Sequence, residues 1–370
     1  MSGRQRVQPR IRGIRLRIGS WGSQIRLPRS AGSVSGQPPP LEGRRAGGQA
    51  AALFLIVGLF CLSIALAFAS PGKPAREWGW GAAPASSAAR TACREGRRAI
   101  KRGDDAHAIM LLTRAISIEP TSARAYALRG LARLHMARPH QALADLRRAI
   151  ALDPSAACAY DTRARVYDAL HDDSLVYDDY FRALKLDPTR SRTWIHRATW
   201  YNDHLHDYKS ALQDWDQAVA LRPDDPLILD DRATTRGNLQ QLADCLADYA
   251  RSLQIAPDLP LTWMLRGRTW YQMQASRRAI ADLDHAIALY PQFARALYWR
   301  SLALLDAGQY RDALADATRF ITLRPYSPDG YQARSRIDRA LGRRDLAAED
   351  VARAQRAKEL LSKRVVEPAP

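Results

Sequence analysis

Two patterns of apolar residues run along the chain. From residue 89 onward, segments of about a dozen residues carry apolar positions three or four apart, separated by short polar turns. That period predicts amphipathic helices arranged as successive pairs. Residues 50–70 break the pattern: they read AAALFLIVGLFCLSIALAFAS, with no charge and no polar face. About twenty helical residues span a hydrocarbon core of roughly 30 Å, so this stretch is expected to be a single transmembrane helix. The alternative is a secretory signal cleaved near Ala69, because Ala67-Phe68-Ala69 fits the small-x-small cleavage pattern.

The paired segments are copies of one unit. Prolines fall at Pro120, Pro154, Pro188, Pro223, Pro257, Pro291 and Pro325, at spacings of 34, 34, 35, 34, 34 and 34. Similar phrases lead into most of them, among them RAISIEP, RAIALDP and HAIALYP. With each proline at position 32, units start at Ala89, Ala123, Ala157, Ser191, Pro226, Pro260, Ala294 and Pro328. Position 8 is then Gly or Ala in six of eight units, as in Gly96, Gly130, Ala164 and Gly267. Positions 20 and 27 are mostly Ala, and position 4 is usually large, as in Tyr126, Tyr160, Trp194, Trp263 and Tyr331. Small residues let two antiparallel helices approach closely. The large residue fills the remaining gap. Proline ends the second helix, since it cannot continue the hydrogen-bond ladder. One such pair cannot bury its own apolar face, so neighbours must stack.

This pattern resembles the tetratricopeptide repeat family over residues 89–361. The resemblance implies an all-α fold: a right-handed α-solenoid of about eight helix hairpins with a concave groove, here preceded by the single transmembrane helix. Residues 1–49 are then a tail, 71–88 a linker and 362–370 a C-terminal tail.

A charge pattern repeats with the same period. Position 7 is Arg in units two to eight and position 23 is Asp in the same units. The pairs are Arg129 and Asp145, Arg163 and Asp179, Arg197 and Asp214, Arg232 and Asp248, Arg266 and Asp282, Arg300 and Asp316, and Arg334 and Asp350. Unit one has Glu95 and Leu111 instead, so the two residue types come and go together. Positions 7 and 23 lie symmetrically about the turn near position 15. Antiparallel helices set such positions side by side, which predicts one structural ion pair per unit.

The net charge of +18 adds less than it promises. Ten Arg and the single acid Glu42 give residues 1–49 alone +9. With their Gly, Ser and Pro content, they are expected to form a solvated tail, an anionic-lipid or nucleic-acid contact being the alternative. The basic flank orients the repeats to the extracytoplasmic side of the membrane, which is the periplasm in a bacterium. With 46% apolar residues the chain can build a large core, and nucleic acid is not the expected partner.

The sequence carries no H-E-x-x-H, G-x-x-x-x-G-K, G-x-S-x-G or C-x-x-C. The cluster Asp203-His204-Leu205-His206-Asp207 sits at the inter-helix turn of unit four, where the one-residue insertion falls, and reads as a surface loop. No catalytic residue, metal or cofactor is expected. Positions 2, 5, 9 and 12 of each first helix form one stripe, expected on the concave face. It is polar in units three to five, with Asp161, Arg165, Asp168 and Asp230, and becomes aromatic in units six and seven. There Met264, Arg268, Tyr271, Arg295 and Tyr298 form the expected groove for a protein or peptide segment, tyrosines burying apolar side chains and arginines meeting carboxylates. The sequence thus describes a non-catalytic interaction scaffold tethered to a membrane. An accessory subunit of an enzyme complex is the other reading.

Overall fold

The computed structural model describes residues 86–366. The tail 1–49, the apolar segment 50–70, most of the linker and residues 367–370 lie outside the described residues. Among the described residues there are sixteen α-helices and no strand, and no helix is long and apolar enough to cross a membrane.

The helices form eight antiparallel pairs, a helical repeat solenoid. In chain order they are α1 (Ser87–Arg102) with α2 (Asp105–Ile118), α3 (Ala123–His135) with α4 (Pro139–Leu152), and α5 (Ala157–Ala169) with α6 (Asp173–Leu186). Then come α7 (Ser191–Trp200) with α8 (Tyr208–Leu221), α9 (Pro226–Asn238) with α10 (Leu242–Ile255), and α11 (Pro260–Gln272) with α12 (Ser276–Leu289). The last pairs are α13 (Ala294–Asp306) with α14 (Tyr310–Leu323), and α15 (Pro328–Ala340) with α16 (Arg344–Val366). Each helix packs on its neighbours in sequence, and at six of the seven junctions the first helices of successive pairs also touch, α7 and α9 making no comparable contact. Second helices make no comparable contact with one another, so first helices line the inner face and second helices stand outside.

The small positions set the spacing within a pair. A Cβ added to Gly96, Gly130 or Gly267 would stand 2.7 or 2.8 Å from the Cγ of Leu112, Leu146 or Leu283 on the facing helix. Position 20 is buried throughout, from Ala108 to Ala313, as is position 27 from Ala115 to Ala286. Position 15 turns the chain in every pair with a left-handed residue. Three of these are Gly103, Gly308 and Gly342, and five are Ala137, His171, His206, Gln240 and Gln274, with φ between 51° and 61°. The insertion in unit four is absorbed by a π-helical turn, Tyr201–Leu205, between α7 and α8.

Candidate functional site

The structural pairs define what is already occupied. All seven position-7 arginines grip the position-23 aspartate of their own repeat through Nε and Nη2. The Nε bonds run from 2.6 Å for Arg334–Asp350 to 2.9 Å for Arg129–Asp145 and Arg232–Asp248. Arg163–Asp179, Arg197–Asp214, Arg266–Asp282 and Arg300–Asp316 are each 2.7 Å by the same nitrogen. This planar fork suits a bidentate carboxylate. The aspartates are 5% exposed or less. In five of the seven repeats a position-4 ring packs over the guanidinium, as Trp263 does over Arg266 at 4.8 Å. The indole NH of Trp194 and of Trp263 donates to the carbonyl of Pro188 and Pro257, each at 2.8 Å, tying position 4 to the preceding proline. These arginines are held inside the scaffold and do not read ligands on the inner face.

The inner stripe divides differently from the sequence expectation. Met264 is 1% exposed and packs with Leu283 and Leu297, so it belongs to the core and not to the groove. The same holds in four other repeats. Position 5 tucks against the next first helix, and Cys93, Ala127, Asp161 and Asp230 are buried with it. Helical spacing alone places position 5 on the inner stripe, but stacking of the first helices then covers it. Leu302 is buried for the same reason.

The two buried acids differ in their company. Asp161 takes His196 Nδ1 at 2.9 Å and Arg190 Nη2 at 3.7 Å. Burial works against its charge, but His196 and Arg190 outweigh it and hold the carboxyl well below the usual range. Asp230 has a neutral donor, the Thr262 hydroxyl at 2.5 Å. Burial, with Asp248 adding to it, pushes its carboxyl up to about 6 against the hydroxyls of Thr262 and Ser252.

Four of the five residues expected in the groove lie at or near the inner surface. Arg295 is exposed, and Arg268, Tyr271 and Tyr298 are partly covered. Among the described residues Arg268 forms no ion pair, and its buried Nε has no hydrogen-bond partner. It stands near the Tyr249 phenol, which hydrogen-bonds Thr234 at 3.0 Å. Tyr271 and Tyr298 both pack on Trp299, at 5.7 and 5.2 Å between ring centroids, and Tyr298 also meets Phe320 at 5.4 Å. Burial pushes the Tyr298 phenol up to about 12, with Asp329 adding and Arg336 opposing. Burial and Asp306 raise Tyr271 while Arg336 opposes. Arg336, on α15, therefore joins the two tyrosines from the eighth repeat. Its place at position 9 is the signal that sequence reading passed over.

Elsewhere the polar clusters are tied down. His204 Nε2 lies 3.2 Å from Asp168, and His206 Nδ1 3.2 Å from the carbonyl of Asn202. Among the described residues no three His, Cys, Asp or Glu side chains are grouped to hold a metal ion. Cys93, Cys158 and Cys245 are buried free thiols.

Residues 123–155, which span α3 and α4, match the tetratricopeptide repeat family model. No curated protein sequence matches the chain at a significant level. Among solved structures, the chain resembles the C-terminal part of a tetratricopeptide repeat protein from Cytophaga hutchinsonii at 15% identity and a TM-score of 0.52, covering 65% of this chain and 98% of that one. It resembles the Cut9–Hcn1 hetero-tetramer of the APC/C at 14% identity and a TM-score of 0.52, covering 66% of this chain and 48% of that one. A tetratricopeptide repeat protein from Parabacteroides merdae is similar at 17% identity and a TM-score of 0.46, covering 68% of this chain and 99% of that one. These are likenesses of fold.

Proposed function

We propose that this tetratricopeptide-repeat protein is a non-catalytic scaffold whose inner face, in repeats six to eight, binds a segment of a partner protein. The observation that carries the proposal is the state of Arg268. Among the described residues seven arginines are locked in bidentate pairs by their own repeats, whereas Arg268 has no carboxylate and a buried Nε without a partner. Leaving such a group unsatisfied costs free energy that a ligand carboxylate or carbonyl recovers. Tyr271, Tyr298 and the exposed Arg295 and Arg336 flank it along the same face and offer aromatic area and further cations.

In the same reading residues 50–70 tether the scaffold to a membrane, with the repeats on its extracytoplasmic side, or direct its secretion after cleavage near Ala69. The test of the groove is substitution. Arg268→Gln should weaken capture of the native partner with the melting temperature unchanged. Full capture by that variant would move the site away from this face. Fractionation of the full chain, with release by carbonate but not detergent, would contradict the tether.

A further inference from the structure

The ladder arginines have a third donor, Nη1, and its partner differs along the solenoid. At three junctions it is taken by the residue sixteen positions earlier, on the outer helix of the preceding repeat. Arg129 Nη1 donates to Thr113 at 3.1 Å, Arg232 Nη1 to Asp216 at 2.9 Å and Arg300 Nη1 to Asp284 at 2.6 Å. At Arg197 the residue sixteen earlier is Phe181. Arg197 holds Asp214 through Nε and Nη2 at 2.7 and 2.8 Å, and among the described residues its Nη1 has no hydrogen-bond partner, as is also so for Arg163, Arg266 and Arg334. Arg197 differs from these in having an aromatic residue, Phe181, at that place.

What surrounds that open nitrogen is aromatic. The Arg197 guanidinium lies 5.3 Å from the Trp194 ring centroid and 5.8 Å from that of Tyr201. The Tyr177 phenol also lies near it. Tyr177 and Phe181 stack on each other at 6.4 Å and 14°, yet are 46% and 52% exposed. They stand one turn apart on α6, an outer helix, away from the inner face.

The matching junction between repeats six and seven shows what this place is in the fold. It is a groove of about 380 Å³, lined among others by Ile280, Asp284, Arg300, Leu304, Asp312 and Asp316. At the same repeat positions, repeats three and four carry Tyr177, Phe181, Arg197, Tyr201, Ser210 and Asp214. Phe181 stands in place of Asp284 and Ser210 in place of Asp312, while Tyr177 and Tyr201 replace Ile280 and Leu304. Asp207, at the end of the groove, caps α8 and is engaged by the Ser210 hydroxyl at 2.6 Å.

We propose that the outer groove between α6 and α8 is a second docking site, which receives an aspartate or glutamate side chain of a partner segment. The carboxylate meets Arg197 Nη1, in the role that Asp216 and Asp284 fill from within the chain. An apolar residue beside it covers Tyr177 and Phe181. The charge balance names the occupant: relative to the junctions at Arg232 and Arg300, one carboxylate is missing and a cation has a free donor. The Arg197 side chain is 14% exposed, so a carboxylate placed on it is partly shielded from water and the contact is stronger for it. The inner groove plays no part in this proposal.

The test uses the full-length chain and dye-labelled peptides read by fluorescence anisotropy. The probes are acetyl-Pro-Leu-Asp-Leu-Pro-amide, its Asn counterpart, and acetyl-Pro-Leu-Asn-Leu-Pro with a free carboxyl terminus. The Asp peptide should bind about tenfold more tightly than the Asn amide. Phe181→Asp should abolish the difference while leaving the melting temperature unchanged or raised, since it supplies the missing carboxylate in cis. Tyr177→Ala should weaken binding of the Asp peptide. Equal binding of the Asp and Asn amides, preference for the free carboxyl terminus, undiminished binding by Phe181→Asp, or a dimer of the chain that Phe181→Asp dissociates would each overturn the proposal.

Discussion

Arg232 holds Asp248 of its own repeat with two nitrogens and reaches Asp216 of the preceding repeat with the third, 2.9 Å away. One side chain therefore closes a repeat and joins it to its neighbour, but the two contacts differ in environment. Asp248 is buried and also receives Arg236 Nη1 at 2.7 Å, whereas Asp216 is 49% exposed. Asp248→Ala strands two arginines and should cost about 3–5 kcal/mol. Asp216→Ala removes a screened surface contact and should cost below about 1 kcal/mol. Urea unfolding of the two variants checks the order, and equal midpoints would refute it.

The left-handed turn at position 15 gives a prediction of opposite sign. Gln240 and Gln274 hold φ of 61° and 59°, where glycine in three other repeats sits without strain. Gln240→Gly and Gln274→Gly should each stabilise by about 1 kcal/mol, because a side chain in this region crowds the backbone. Gly308→Ala should destabilise by a similar amount. Thermal melts of the three variants suffice, and a lower melting temperature for both Gln variants would contradict the strain argument.

Asp230 predicts a pH dependence. Its folded pKa, pushed up to about 6, exceeds the unfolded value, so between about pH 4 and 6 the native state binds more protons than the unfolded chain. Its contribution to stability is therefore full below that window and is lost as pH rises through it, by about 2–3 kcal/mol. Asp230→Asn keeps an acceptor for Thr262 and removes the buried charge. The variant should gain stability over the parent at pH 7.5 and little at pH 4. Denaturant midpoints at the two pH values test this, and a gain confined to pH 4 would reverse the sign.

The periodic prolines, the small residues at 8, 20 and 27, and the joint occurrence of Arg and Asp made the helix pairs readable from sequence, because each reflects contact inside one repeat. What escaped lies between repeats. Spacing put Met264 on the inner stripe, and only the stacking of first helices reveals that position 5 is covered. Arg336 reaches Tyr271 and Tyr298 from the eighth repeat, a relation across two units that no period displays. The left-handed turns show in sequence at Gly103, Gly308 and Gly342 but not at His171 or Gln274, where packing overrides residue preference. The insertion near His206 marks an extra residue, yet its accommodation as a π-helical turn depends on α7 continuing past Trp200.

The groove residues should separate into two kinds. Tyr298 packs on Trp299 and Phe320, so Tyr298→Ala should lower stability by about 2–4 kcal/mol and cannot report binding cleanly. Among the described residues Arg268 and the exposed Arg295 have no ion pair to lose, so Arg268→Gln and Arg295→Gln should leave the unfolding free energy within about 0.5 kcal/mol. Urea unfolding distinguishes them.

The inner groove is tested most directly by site-specific photocrosslinking of the full-length chain in its native cell. A photoreactive residue replaces Tyr271 on the inner face, or, as control, exposed Thr318 on outer helix α14. The scaffold reading predicts one discrete adduct from position 271, absent from position 318, that disappears when Arg268→Gln is added to a chain with unchanged melting. The same adduct from both positions, or an adduct at 271 that survives Arg268→Gln, would contradict it.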